Sequence, residues 1–274
     1  MSRHERLTLR RDGLDLAFHR QAGPGPLVIL QHGLCGDARQ PAEVMPPHLR
    51  HAVLDCRGHG HSPAGALHHL SIARFTDDLA AGIEAFAQPP CVVGGISMGA
   101  AIALRLAVLR PDLVRALILA RPAWVCEAAP PNMEPNHQVG LALARPPSPG
   151  ERQRFLTSPT GRRLASEAPD NLASLTGFFD REPRAVTAAL LTRISLDGPG
   201  VTRAQLACLR LPTLVIGHSH DLIHPLAHAR QLTRLIAAAR LVEIPPKALD
   251  RDGHVAGFRA AVSRFIEDLP DAQA

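Results

Sequence analysis

The stretch Cys91-Val92-Val93-Gly94-Gly95-Ile96-Ser97-Met98-Gly99-Ala100-Ala101 decides how the rest of the chain is read. Cys91 to Gly95 is a short, continuous apolar run of the kind a fully buried strand makes. Ala100 to Leu109 is apolar and rich in helix-forming alanine and leucine. Between them, Gly95-Ile96-Ser97-Met98-Gly99 places a glycine two residues before and two after a serine. A sharp strand-to-helix corner brings those two positions so close that a Cβ at either would clash. The same corner forces the serine into a sparsely populated backbone region and pushes its Oγ out at the end of the sheet. The pattern carries meaning because a strand precedes it and a helix follows. Ser97 is therefore a candidate nucleophile.

Working outward, Leu7 to Arg11 and Leu14 to Arg20 alternate apolar and polar residues around Asp12-Gly13, which predicts an antiparallel hairpin. Leu27 to Leu30 and Ala52 to Leu54 predict further strands. They lead into His32-Gly33-Leu34-Cys35-Gly36 and into Asp55-Cys56-Arg57-Gly58-His59-Gly60-His61-Ser62. Ile72, Phe75, Leu79, Ile83 and Phe86 share one face of a helix that Ser71 caps and Pro89-Pro90 blocks. Ala116 to Ala120, Thr213 to Gly217 and Ala239 to Ile244 continue the strand series, and a last helix carries Phe258, Val262, Phe265, Ile266 and Leu269 on one face. Apolar strands alternating with helices predict an α/β fold: a mostly parallel sheet with helices on both faces. From about Ala123 to Gln205 the strands stop, and prolines separate short helical pieces. So long a stretch does not fit a structureless loop. It predicts a helical cap (residues 123–205) inserted into a core made of residues 1–122 and 206–274.

The composition narrows the function. Of 274 residues, 46% are hydrophobic and 20% charged, which is a folded globule rather than a disordered chain. There is no tyrosine and a single tryptophan, Trp124, which removes a tyrosine general acid. The formal net charge of +5 comes from arginines scattered along the chain, with Lys247 the sole lysine, so no nucleic-acid partner is expected. Five cysteines with no Cys-x-x-Cys fit reduced core residues and a cytoplasmic setting. Met1 to Arg11 has no apolar leader core, and no apolar run is long enough to span a membrane. The histidines around Asp221 (His218, His220, His224 and His228) match no standard zinc spacing, so no metal is expected. A Walker loop and the dinucleotide-binding glycine spacing are both missing, so no nucleotide or flavin cofactor is expected.

A serine nucleophile needs a base, an acid to orient that base, and donors for the developing oxyanion. Strand ends of the expected sheet offer candidates in the order Ser97, Asp221, His254. That order, with His32-Gly33, the Asp55-x-Arg57-Gly58-x-Gly60-x-Ser62 loop, the elbow, Gly217…Asp221…Pro225 and Gly253-His254, resembles the α/β-hydrolase superfamily over nearly the whole chain. The resemblance implies that Ser97 attacks a substrate carbonyl, His254 serves as base and then acid, and Asp221 holds its tautomer. It places the oxyanion hole at the backbone N–H groups of Leu34 and Met98, supported by His32, Gly33, Gly95 and Gly99. Aspartate-nucleophile relatives of the fold are set aside by the serine. The expected activity is a carboxylesterase-like serine hydrolase acting on a small-to-medium ester, lactone or thioester, as a monomer or homodimer. An acyltransferase or carbon-carbon hydrolase would use the same residues, and a ligand-binding receptor would keep the fold alone. Trp124, Val125 and Met133 are the expected pocket-lining residues.

Overall fold

Asp12 and Gly13, both with positive φ, turn the chain between β1 (His4–Arg11) and β2 (Leu14–Gln21), which pair antiparallel from His4 opposite Gln21 to Arg11 opposite Leu14. The computed structural model describes residues 4–270, so the first three residues of the charged amino-terminal stretch and the last four residues lie outside it. The remaining strands are β3 (Val28–Gln31), β4 (His51–Leu54), β5 (Cys91–Ile96), β6 (Val114–Ala120), β7 (Thr213–Gly217) and β8 (Ala239–Glu243). They form one eight-stranded sheet in the order β1-β2-β4-β3-β5-β6-β7-β8. All pairs from β4 to β8 are parallel, and only the β1–β2 and β2–β4 pairs are antiparallel. This is the expected α/β class.

The strands are apolar throughout because both faces are covered, and alternate residues supply opposite faces. Ile29, Val93, Leu117, Leu119 and Val215 belong to one core cluster. It is closed by α2 (Ile72–Phe86), α3 (Met98–Leu109) and, further along the chain, the helix Leu226–Leu235. Val28, Leu30, Val92, Ile118, Leu214 and Ile216 face the other way. There they meet Val44 of α1 (Arg39–Val44) and Phe258, Ala261, Val262 and Phe265 of the final helix Arg251–Glu267. Apart from Arg105, the α3 helix is apolar, because it packs between the sheet and its neighbours.

Between β6 and β7 come α4 (Glu134–Leu143), α5 (Glu151–Leu156), α6 (Pro159–Glu167), α7 (Pro169–Gly177), α8 (Arg184–Ser195) and α9 (Arg203–Cys208), with no strand among the described residues of this span. The helices Leu226–Leu235 and Arg251–Glu267 are α10 and α11. Local signals start several of these elements. Ser158 accepts the Gly161 N–H ahead of α6, and Thr202 with Gln205 makes a capping box on α9. Gly140 lets α4 approach α8 closely, since a Cβ there would lie 2.8 Å from the Thr192 methyl and backbone nitrogen. The insertion is tied to the core through Asp197. Its carboxylate accepts the Ile72 N–H at the start of α2 (2.7 Å), while its carbonyl accepts the indole N–H of Trp124 from within the same stretch (2.9 Å). No helix among the described residues is long and apolar enough to cross a membrane.

Candidate active site

Ser97 sits between β5 and α3 with φ 57° and ψ −112°, a backbone region that non-glycine residues rarely occupy. Its N–H donates to the Ala120 carbonyl at the end of β6 (2.9 Å), which pins the corner against the neighbouring strand. Both glycines of the elbow have the steric role read from the sequence. A Cβ on Gly95 would overlap the Gly99 carbonyl group, and one on Gly99 would overlap the Gln31 carbonyl of β3.

The histidine that reaches the serine is His224. Its Nε2 lies 2.8 Å from Ser97 Oγ, and its Nδ1 is 2.9 Å from both carboxylate oxygens of Asp221. The Asp221 carboxylate can only accept, so Nδ1 carries the proton and Nε2 offers a lone pair to the serine hydroxyl. Asp221 and His224 share one tight turn after β7, in which Asp221 Oδ1 also accepts the His224 backbone N–H (2.9 Å). Arg121, held at φ 45° just past β6, donates from Nε (3.0 Å) and Nη2 (2.7 Å) to Asp221 Oδ2. Burial opposes ionisation of Asp221, but His224 and Arg121 beside it hold its carboxyl well below the usual range. Burial also lowers the His224 pKa, against the pull of Asp221, so the imidazole is neutral at pH 7.

His254 is elsewhere, and here the structure departs from the expectation. Asp250 caps α11 by accepting the Gly253 N–H (2.8 Å), so Gly253-His254 falls in the first turn of that helix rather than in an open loop. The His254 Nδ1 donates to the Pro245 carbonyl (2.9 Å), and its ring packs edge-on against His218 at 5.1 Å. It lines a separate small cavity with Lys247, Phe258 and Arg121, and Arg121 lines the Ser97 cavity too. No hydrogen bond joins His254 to Ser97 or Asp221. The three-residue spacing from Asp221 to His224 fits a turn in which the aspartate accepts the histidine N–H and holds its ring, but it does not single that histidine out from its neighbours.

Of the two expected oxyanion donors, Met98 directly follows Ser97 and Leu34 lines the same cavity. Met98 opens α3, where the first N–H groups have no intrahelical partner. The Leu34 N–H meets no protein acceptor among the described residues, and Leu34 lines the cavity with Ser97. The loop that carries Leu34 is held by two buried histidines, His32 and His59, whose tilted rings are 4.7 Å apart. His32 donates from Nδ1 to the Gly33 carbonyl (2.8 Å) and accepts the Cys56 N–H at Nε2 (3.0 Å). His59 donates to the Arg57 carbonyl (3.0 Å) and accepts the Cys35 N–H (3.0 Å). Burial lowers the pKa of both, and it pushes the Cys35 thiol up to about 12, too high for a nucleophile at neutral pH. Gln40 accepts the Gly33 N–H (2.6 Å) and closes the turn.

The motif Asp55 to Ser62 is a strap beneath this loop. Asp55 accepts N–H groups of Ala38 and His61 and meets His19 Nε2, each at 2.9 Å; its pKa falls to about 2 because these contacts outweigh burial. Arg57 is buried in a two-point pair with Asp78 of α2, at 2.7 and 2.9 Å.

The cavity over Ser97 has a volume of about 280 Å³. Its wall includes Leu34, Met133, Leu175, Phe178 and Ile223, with Asn136 and Asn171 as polar members. Met133, one of the expected lining residues, is in this wall. Trp124 and Val125 are not in the wall: both are buried in the core, where the Trp124 indole is engaged by Asp197.

A strained serine at a strand-helix corner, a histidine-aspartate pair against it and two free backbone donors beside it define the class of an α/β-fold hydrolase. The chain belongs to the α/β-hydrolase fold family, whose model matches residues 26–248. It is 28% identical over 271 residues to the "putative carbamate hydrolase RutD" of Pseudomonas savastanoi, covering 93% of this chain and 98% of that protein. Among solved structures it is similar to a hydrolase from Pseudomonas aeruginosa (TM-score 0.70, 24% identity, 96% and 98% of the two chains). It is also similar to the enol-lactonase of Burkholderia xenovorans (TM-score 0.71, 23% identity, 94% and 98%). At these identities the structural likeness establishes the fold alone.

Proposed function

We propose that the protein is a serine hydrolase of small carboxylic acid derivatives (esters, lactones or thioesters) working through an acyl-serine intermediate. The observation that carries this reading is the contact of His224 Nε2 with Ser97 Oγ at 2.8 Å while His224 Nδ1 is held by Asp221 at 2.9 Å. In this reading Oγ forms a bond to the carbonyl carbon as its proton passes to His224 Nε2. The carbonyl electron pair moves onto oxygen, where the Leu34 and Met98 N–H groups meet the charge. Collapse breaks the bond to the leaving group, which takes the proton from His224. Water then repeats the sequence on the acyl-serine and restores Ser97. Arg121 keeps Asp221 ionised, so that Asp221 stabilises the imidazolium formed in each half-reaction. The relatives named for carbamate and enol-lactone substrates support an acyl carbonyl as the reacting group.

Intact-mass measurement after acid quench of a nitrophenyl butyrate reaction tests the intermediate. The expected result is an enzyme mass raised by one butyryl group on wild type and absent from Ser97→Ala. Steady turnover by Ser97→Ala at the wild-type rate would contradict the reading.

A further inference from the structure

Two carboxamides of the helical stretch line the same cavity as Ser97, and the protein leaves part of their polar capacity unused. Asn171 Oδ1 accepts the N–H groups of Leu222 (2.8 Å) and Ile223 (3.2 Å), which fixes which way its amide points. Its Nδ2 meets no protein acceptor among the described residues, so two N–H donors are left over. Asn136 is 6% exposed, and its Oδ1 is sealed from solvent without a partner. A buried amide with nothing to bind is a cost that folding alone gives no reason to keep. Asn132, close by in sequence, shows the contrasting structural case: its Nδ2 is spent on the Ala123 (2.9 Å) and Ile223 (2.7 Å) carbonyls. Met133, Leu175 and Phe178 make the neighbouring wall largely apolar, with Ser174 as its one hydroxyl, so the two asparagines are the carboxamides that this part of the cavity offers a ligand.

We infer that Asn171 and Asn136 form a subsite for a carboxamide-type group, –CO–NH–, carried by the substrate. Asn171 can only donate there, so it calls for a carbonyl oxygen. Asn136, with no protein partner to orient it, can turn its oxygen toward an adjacent N–H. A secondary amide or carbamoyl group presents that acceptor and donor side by side. This inference rests on the serine-hydrolase reading, because it takes the cavity to be the substrate's.

The test compares three nitrophenyl esters: the N-acetylglycinate, the 4-oxopentanoate, in which CH₂ replaces N–H, and the pentanoate, which lacks both groups. Each is assayed with wild type, Asn136→Leu and Asn171→Asp. The aspartate keeps an oxygen for the Leu222 and Ile223 N–H groups but loses the donor. Asn136→Leu is expected to lower the N-acetylglycinate to 4-oxopentanoate ratio of kcat/KM about tenfold, the scale of one lost hydrogen bond. Its Tm is expected to equal or exceed that of wild type, since an unpaired buried amide is gone. Asn171→Asp is expected to lower both carbonyl-bearing esters about tenfold against the pentanoate. Unchanged ratios in either variant, or all three esters falling together, would overturn the subsite. If wild type cleaves none of the three, the hydrolase reading fails, and NMR titration with N-acetylglycinamide and 4-oxopentanamide decides the subsite separately. Tighter binding of N-acetylglycinamide that Asn136→Leu abolishes sustains it, and equal binding of the two overturns it.

Discussion

Replacing His224 by alanine removes the only side chain among the described residues that hydrogen-bonds Ser97 Oγ and leaves a neutral alcohol with no base. Loss of a triad histidine in serine hydrolases lowers kcat by about 10⁴–10⁶, or about 5–8 kcal/mol of transition-state stabilisation, because the oxyanion donors alone remain. We expect that range for His224→Ala. In His254→Ala the groups lost are a hydrogen bond to the Pro245 carbonyl and the packing on His218. Stability should therefore fall by about 1–3 kcal/mol, while kcat/KM stays within about threefold. The assay is nitrophenyl butyrate hydrolysis at pH 8, with denaturant melts on both variants to separate unfolding from lost chemistry. A loss of about 10⁴ or more in His254→Ala, with His224→Ala retaining a tenth or more of wild-type activity, would refute the assignment. That result would mean the His224 contact is not the one used in turnover.

Other outcomes follow from the buried charges. Protonated His224 has no lone pair for the serine proton, and burial lowers its pKa; kcat/KM should therefore drop with falling pH through an apparent pKa below 6.5, and an acid limb centred above 7 in the pH–rate profile would contradict this. His32 and His59 are buried and neutral with lowered pKa values, so the unfolded chain binds more protons below its own pKa of about 6.5. Their contribution to stability is complete above that pH and erodes as pH falls toward their folded values, so Tm should decline from pH 7 to pH 5; a flat Tm over that interval would count against it. Asp78→Asn leaves Arg57 buried with only the half-exposed Asp12 as a charged partner, which should cost about 3–5 kcal/mol in urea unfolding, and a loss under about 1 kcal/mol would show the pair to be dispensable.

The parts of this architecture that depend on local rules could be read in advance. The elbow was legible because two glycines flank a serine between an apolar strand and an apolar helix, and the overlaps at Gly95 and Gly99 are its steric basis. The hairpin at Asp12-Gly13 and the two-sided sheet were legible from period-two alternation and continuous apolar runs. The base was not. Four histidines surround Asp221 in sequence, and only the turn that joins Asp221 Oδ1 to the His224 N–H decides which one meets the serine. The resemblance implies His254 as the base, but the Asp250 cap starts α11 early enough to hold His254 within the helix. Trp124 lies just past β6, at the entrance to the insertion, yet Asp197, 73 residues later, turns its indole into the core. Arg57–Asp78 and Arg121–Asp221 are likewise long-range pairs with no signature in either local sequence.

The central claim is that Ser97 is an activated nucleophile, and labelling with a fluorophosphonate probe followed by peptide mass mapping tests it most directly. The account predicts one adduct per chain, on Ser97, formed by wild type and His254→Ala and lost in Ser97→Ala and His224→Ala. Wild type that stays unlabelled, or an adduct that persists in Ser97→Ala, would contradict it.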